Sequence, residues 1–335
     1  MKVSIAMAAY DGTRYLHAQL ESFSRQTRLP DELVVTDDSP GDATSALIED
    51  FAKSAPFPVR CVRNHKQLGP TRNFNHALSL ASGDLIFLSD QDDVWLPEKI
   101  ETVVTLAKAE PAKACFMNDA YMADGELRPT GTTKMQQIGQ AGLPAEAMVM
   151  GCCMAIRRSL LDALLPIPES QPAHDNWLVN MSDLLGLTTR IPVPLQYYRR
   201  HGQNVSDYFV NRLQRPGLIE RLSGSARRIV RRLGSQDGLL GELRNLEDAL
   251  ERIAERQDAF SGLVDPDRLA AACDGATDRA RRLAARRDIR SQPRWRRPSP
   301  ILQLWRSGGY PDRGGLASAL KDLAVSPARN VELRR

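Results

Sequence analysis

Three carboxylates, Asp90, Asp92 and Asp93, fall within four positions directly after the apolar run "LIFLS". Such a concentration of like charge needs compensation, and two physical solutions exist. Hard divalent cations such as Mg²⁺ or Mn²⁺ take oxygen ligands, and one held by a few side chains keeps coordination positions open for phosphates. Carboxylates also cap helix N-termini, as Asp93 would for "LPEKIETVVTLA" (96–107). Three acids are more than a cap uses, which favours the cation. A second acidic pair, Asp37-Asp38, follows the apolar "LVVT" and has the same two options, with a helix beginning after residue 40. Asp175 precedes "NWLVNMSDLLG" (176–186), where it reads as a helix N-cap. His201 is a candidate ligand or an exposed loop residue.

The elements that must position these residues follow from hydrophobic period. "VSIAMAAY" (3–10) is a compact apolar run suited to a strand buried on both faces. Helix-like "GTRYLHAQLESFSRQ" (12–26) follows, then strand-like "DELVVTDDS" (31–39) and helix-like "ATSALIEDFAKS" (43–54). "VRCVRN" (59–64), "TRNFNHALSLA" (71–81) and "DLIFLSD" (84–90) continue as strand, helix and strand. This alternation predicts an α/β fold, a doubly wound and mostly parallel sheet. Ligands collect beyond the carboxyl ends of such strands, and both acidic clusters sit there. Residues 111–210 are more broken, with extended "AKACFMND" (112–119) and "TTRIPVPLQYY" (188–198), and with "GCCMAIRRSLLDALLP" (151–166) as a strand entering a helix.

From about 211 the chain becomes Arg-rich and helical, and a boundary is expected near 210. Residues 211–335 hold 26 Lys/Arg against 16 Asp/Glu, while residues 1–210 hold 19 against 25. The segment 218–233 sets Leu, Ile and Val against five arginines, and Leu239, Leu243, Leu246, Leu250 and Ile253 form a coiled-coil or helical-hairpin stripe. Arg beside apolar residues suggests either an interfacial segment on an anionic membrane or the solvated face of a packed hairpin. "PILQLWRSGGY" (300–310) adds Trp305 to the membrane option. Nucleic-acid binding is disfavoured, because no stacking or groove-reading motif accompanies the charge.

The five cysteines are scattered without zinc spacing and are expected as buried free thiols. No apolar run approaches the roughly 20 residues that span a bilayer. A cytoplasmic location is expected, with possible peripheral contact on the inner face of the membrane. "AAYDGTR" (8–14) matches neither a dinucleotide-binding glycine motif nor a P-loop, which argues against a nicotinamide dehydrogenase and a P-loop ATPase.

Six stretches occur in order over about residues 1–210: "VSIAMAAYDG", "LVVTDDSPGDAT", "ASGDLIFLSDQDDVWLPEKI", "GCCMAIRRSLL", "HDNWL" and "YYRRHGQNVS". Together they resemble the family 2 glycosyltransferases of the GT-A fold, most nearly the bacterial rhamnosyltransferase-like subgroup of surface-polysaccharide assembly. The resemblance implies a catalytic domain over 1–210, with nucleotide-sugar binding in 1–110 and the acceptor side in 111–210. Residues 211–335 lie outside it. It places Tyr10, Asp11, Asp37, Asp38, Arg72, Asp90 and Gln91 on a nucleotide sugar. Asp38, or Asp37 in its stead, would accept the base N3–H. "DQD" (90–92) matches the DxD motif, with Asp92 a direct metal ligand, Asp90 on ribose or metal, and His201 completing the metal or diphosphate site.

Asp175 matches the family's base, which takes the acceptor hydroxyl's proton during an inverting displacement. The implied cofactor is Mg²⁺ or Mn²⁺. The implied partners are a dTDP or UDP sugar, with dTDP-rhamnose favoured over a UDP-hexose or UDP-hexosamine, and a glycan or lipid-linked acceptor. The sequence departs from the family at Ala8, usually Pro, at Asp11, usually Asn, and at His174, usually Glu. "SQPRW" (291–295) has the wrong spacing for the QxxRW motif of processive synthases, which favours transfer of one sugar per binding event. The readings from other classes are a non-catalytic nucleotide-sugar-binding or scaffold protein and a nucleotidyltransferase. Trp95 and Trp177 are expected as packing residues, and Cys152 and Cys153 as lining an acceptor wall without acting as nucleophiles.

Overall fold

The structure is a computed structural model that describes residues 1–201, 236–310 and 315–325. The expected boundary near 210 and the Arg-rich segment 218–233 lie outside the described residues. The described residues fall into two compact units, one holding 1–201 with Arg256–Asp265, the other 236–255 with 266–310 and 315–325.

The first unit is built on a nine-stranded mixed sheet. Strand β1 (Val3–Ala9) lies between β2 (Glu32–Asp37) and β4 (Leu85–Ser89), and β3 (Val59–Arg63) flanks β2, all parallel. Helices α1 (Leu16–Ser24), α2 (Ala43–Ala52) and α3 (Pro70–Leu80) connect them. This half has the doubly wound pattern that the alternation predicts. Beyond β4 the sheet turns antiparallel through β8 (Met154–Arg157), and β8 pairs antiparallel with β6 (Cys115–Ala123). β6 then pairs parallel with β9 (Thr188–Arg199), and the short β5 (Val94–Trp95) closes that edge on β9.

Period two along β1 sets the core. Val3, Ile5, Met7 and Ala9 join one apolar cluster with Leu16, Leu20 and Phe23 of α1. Each fully buried large side chain there contributes about 1.5–3 kcal/mol. Trp95 belongs to the same cluster, edge-on to Phe23 with ring centroids 4.7 Å apart, and Trp177 is buried with Nε1 donating to Leu164 O at 3.2 Å. Both tryptophans are packing residues, as expected.

Helix α4 (Lys99–Ala109) follows β5, and β7 (Pro129–Thr133) leads into α5 (Lys134–Gln140) through a capping box between Thr133 and Gln136. A 3-10 turn over Gly151–Cys153 precedes β8, and β8 runs directly into α6 (Arg158–Leu164), the strand-to-helix order expected for 151–166. Helix α7 (His174–Leu184) precedes β9.

In the second unit, α8 (Gln236–Glu255) packs on α10 (Pro266–Ser291), with Leu239 and Leu243 against Leu283. The leucine stripe therefore serves a helical pair. Between them α9 (Gln257–Ser261) belongs to the first unit, where Phe260 is fully buried. Helices α11 (Pro298–Arg306) and α12 (Gly315–Ala324) complete the second unit.

Candidate active site

The site lies at the carboxyl ends of β1, β2 and β4. The chain leaves β1 at Tyr10, whose ring is 48% exposed. Gln91 holds this exit from the neighbouring strand end. Its Nε2 donates to Tyr10 O at 2.7 Å, and Tyr10 N–H donates to its Oε1 at 2.9 Å. Gly12 makes room for the clamp, since a Cβ there would sit 2.2 Å from Gln91 Oε1. Asp11 lies in the left-handed region at φ 47°, a conformation that Asn and Asp tolerate better than most residues. That accounts physically for Asp or Asn at this position.

The two acids after β2 are used differently. Asp38 is buried, and its oxygens accept from Asn64 Nδ2 at 2.9 Å and from Leu68 N and Gly69 N at 2.8 Å each. It shapes the loop that leads into α3. Asp37 Oδ1 accepts from Ser39 Oγ at 2.5 Å, whereas its Oδ2 is buried without a partner. Of the pair, Asp37 has the spare acceptor. Neither caps α2, whose N-cap residue is Asp42. Arg72, in the first turn of α3, pairs with exposed Glu169 at 2.8 Å, a surface contact that an anion can displace at little cost.

The Asp90–Asp93 turn divides its carboxylates. Asp92 Oδ2 is 2.8 Å from His201 Nε2, and the His201 ring stacks on Tyr15 with centroids 4.7 Å apart. Asp93 points inward, fully buried, accepting from Gln196 Nε2 at 2.9 Å and from Arg199 N at 3.0 Å. It is not a helix cap: α4 starts at Lys99, behind its N-cap residue Glu98. The expected capping role gives way because the strand end and β9 are close enough for Asp93 to bridge them. Burial, with the charges of Asp92 and Asp90, pushes the Asp93 carboxyl well above the ordinary carboxylate range.

Burial and the charges of Asp92 and Asp175 push Asp90 up to about 7. The Asp175 field therefore reaches Asp90. Asp175 stands in the first turn of α7, behind N-cap Ala173, with Oδ1 accepting from Asn176 N at 2.8 Å. It is thus the second residue of the helix and not its N-cap. Gly151 brings the 3-10 turn against this helix end: a Cβ there would lie 2.5 Å from His174 Nε2 and 3.5 Å from Asp175 Cβ. His174 stacks on Phe74 with centroids 3.9 Å apart, its Nε2 buried without a partner, and burial lowers its pKa despite Asp175.

One residue escaped the sequence reading. Lys99 is fully buried, its Nζ donating to Cys152 O at 2.9 Å and to Gln196 Oε1, and lying 4.0 Å from the centre of the Trp95 ring. Burial lowers it to about 8 against the opposing pull of Cys153, Cys152, Asp93 and Asp90. A lysine at the start of a helix ordinarily reads as solvated, so no local signal marks this one. Gln196 links it to Asp93, and the pair supports the turn from beneath.

Among the described residues one group of three donor side chains is clustered closely enough to share a cation. Asp90, Asp93 and Cys152 offer ligand atoms within 4.8 Å of one another. That set fits poorly, because both Asp93 oxygens are taken and the Cys152 thiol is held well above its ordinary pKa by Cys153 and burial. The Asp92–His201 pair offers a carboxylate oxygen and an imidazole nitrogen, donor types that Mg²⁺ or Mn²⁺ accept, with the Asp92 charge acting on Asp90 beside it.

Comparison with known proteins gives this geometry a context. Residues 4–165 match the sequence model described as Glycosyl transferase family 2. An uncharacterized glycosyltransferase, alr2836 of Nostoc, is 25% identical over 215 residues, 61% of this chain and 66% of that protein. The beta-1,3-glucosyltransferase WfaP of Escherichia coli, named for UDP-Glc and alpha-D-GlcNAc-diphosphoundecaprenol, is 29% identical over 61% of this chain and 79% of its own length. The dTDP-rhamnosyl transferase RfbG of Shigella flexneri is 27% identical over 64% of this chain and 78% of its own. The match spans less than two thirds of the first relatives, 66% of the Nostoc protein and 60% of Rv1520 of Mycobacterium tuberculosis.

Among solved structures, TarS of S. aureus bound to UDP superposes with TM-score 0.51 at 15% identity, covering 96% of this chain and 89% of that one. The mannosyltransferase PcManGT of Pyrobaculum calidifontis, with GDP-Man and Mn²⁺, gives 0.50 at 18% identity over 96% and 87%. These likenesses establish the GT-A fold. Residues 4–165 thus match glycosyltransferase family 2 by sequence, and the chain shares the GT-A fold of these solved neighbours.

Proposed function

We propose that the chain is an inverting, metal-dependent, non-processive glycosyltransferase acting in cell-surface polysaccharide assembly. The observation that carries the proposal is the convergence at one sheet edge of the clamped Tyr10, the Asp92–His201 pair, and an Asp90 whose carboxyl feels Asp175. Tyr10 stacks on the nucleotide base, and Asp37 or Asp38 meets the base N3–H, with Asp37 favoured by its spare oxygen. Asp11 and Gln91 line the same nucleotide pocket, Gln91 chiefly through the Tyr10 backbone. Arg72 leaves Glu169 for diphosphate oxygens. Asp92, His201 and Asp90 hold a divalent cation, which when bound supplies charge stabilisation for the departing nucleoside diphosphate.

Asp175 removes the proton from the acceptor hydroxyl as that oxygen attacks the anomeric carbon. Holding donor and acceptor together at the sheet edge removes much of the entropic barrier. Residues 1–210 form the catalytic domain in this proposal, and 211–335 a helical accessory region.

Relatives named for rhamnose and for glucose leave two donor classes in play. dTDP-rhamnose is preferred from the motif resemblance and the likeness to RfbG, and a UDP-hexose or UDP-hexosamine is the alternative. A lipid-diphosphate acceptor is supported by the name of WfaP. No helix among the described residues is long and apolar enough to cross a membrane. Contact with such an acceptor at the inner membrane surface is assigned to the arginine-rich region 211–335.

Calorimetric titration with dTDP and UDP, with and without Mn²⁺, tests the reading. Binding should require the metal, and Asp92→Ala should abolish that requirement. Asp175→Asn should keep nucleotide binding and lose transfer. Nucleotide binding without any transfer or donor hydrolysis in the unsubstituted chain would instead support the non-catalytic alternative.

A further inference from the structure

Helix α12 (Gly315–Ala324) is mounted with its apolar side outward. Leu316, Leu320 and Leu323 recur at one helical face and all are exposed, Leu316 at 65% and Leu320 at 53%. The opposite face buries Asp322 completely. Its Oδ2 accepts from Arg286 Nε and from Tyr310 Oη at 2.8 Å each, and its Oδ1 accepts from Arg290 Nε at 2.6 Å. Arg297, also fully buried, donates to Asp322 O at 3.0 Å and to Arg290 O at 2.6 Å. Turning the leucines inward would strand these charges, so the buried network fixes them toward the outside.

Neighbouring α11 packs on α12 and presents Leu302 and Trp305, both exposed, one turn apart. The Trp305 ring stacks on Tyr310 with centroids 5.6 Å apart, which ties this second apolar face to the same buried network. Trp295 is exposed on the preceding turn, with the Arg296 guanidinium 4.5 Å from its ring centre. Arg294, Arg296 and Arg306 are exposed among these residues, and Lys321 is partly so. Asp322 is the sole acid among the described residues from 292 to 325, and it is buried.

We propose that the α11–α12 face docks on an anionic lipid surface, with Leu302, Trp305, Leu316, Leu320 and Leu323 entering the interface and the arginines meeting headgroup phosphates. Leucine and tryptophan flanked by cations, with no exposed acid among the described residues 292–325, complement such a surface. A second copy of the chain is the poorer occupant. A two-fold interface would set the same arginines against each other, with no exposed acid among the described residues 292–325 to separate them.

The inference stands on the second unit alone and does not depend on glycosyl transfer. The test is co-sedimentation of the full chain with phosphatidylcholine vesicles with and without phosphatidylglycerol. The chain should bind the anionic vesicles, and added salt should weaken binding. Leu316→Gln/Leu320→Gln, and separately Leu302→Gln, alter exposed positions and keep every arginine, including those in 218–233. The double variant should reduce vesicle partitioning by about tenfold or more, with nucleotide binding unchanged.

Absent vesicle binding, or binding indifferent to the leucine substitutions, overturns the proposal. So does a lipid-free dimer that the double variant abolishes, which would make a second copy the occupant. Leucine-dependent vesicle binding by a chain that binds no nucleotide would sink the proposed function and leave this inference standing.

Discussion

The clamp between Gln91 and Tyr10 offers a quantitative test of how the acidic turn is positioned. Gln91→Ala deletes two hydrogen bonds, of 2.7 and 2.9 Å. At a net ~0.5–1.5 kcal/mol each, that is a loss of about 1–3 kcal/mol, or roughly 5- to 150-fold in the population of the ordered site. Gly12→Ala approaches the same contact from the other side, because its Cβ would lie 2.2 Å from Gln91 Oε1 and 2.7 Å from Cδ. The amide must then leave Tyr10, so this substitution should lose a similar amount.

In the double variant the obstructing amide is gone, and Gly12→Ala should add less than about 0.5 kcal/mol to the loss from Gln91→Ala. Urea denaturation reads the stability cycle, and calorimetric titration of UDP or dTDP with Mn²⁺ reads the same cycle in binding. Additive losses, or wild-type nucleotide affinity in both single variants, would refute the clamp.

Three further outcomes are expected. Asp90 rises from an ordinary 3.8 to about 7 in the fold, so between these values the folded state holds a proton that the unfolded chain lacks, and metal-free stability should fall as pH rises from about 4 through about 7; Asp93 acts in the same direction. Thermal melts in chelator that rise over this window would contradict that sign, and Mn²⁺ should raise the melting temperature most at the upper end. Lys99→Met removes the donor to Cys152 O and Gln196 Oε1 and should cost about 2–4 kcal/mol in urea denaturation, with an unchanged midpoint as the contrary result. Asp322→Asn leaves Arg286 and Arg290 without their counter-charge and should cost the second unit about 3–5 kcal/mol, read as earlier proteolysis within 266–325, whereas an unchanged cleavage pattern would remove the network from the argument.

The sequence alone determined the strands β1 to β4 and the helices between them, because each of these elements repeats its apolar residues at the period of its own backbone. It also placed Asp37, Asp38, Asp90 and Asp92 at strand ends, since an apolar run that stops at an acid marks its own exit from the core. What each acid does was settled elsewhere. Asp93 meets Gln196 across 103 residues and Asp92 meets His201 across 109, separations at which no local pattern carries information. Lys99 reads as a solvated helix start and becomes the buried support of that turn only because β9 brings Gln196 beneath it. The leucines of α12 share one helical face, and they point outward because Asp322 on the opposite side finds Arg286, Arg290 and Tyr310. Period reports which faces of an element differ; only the partners that tertiary structure supplies decide which face turns inward, because a buried charge without its counter-charge costs more than an exposed leucine.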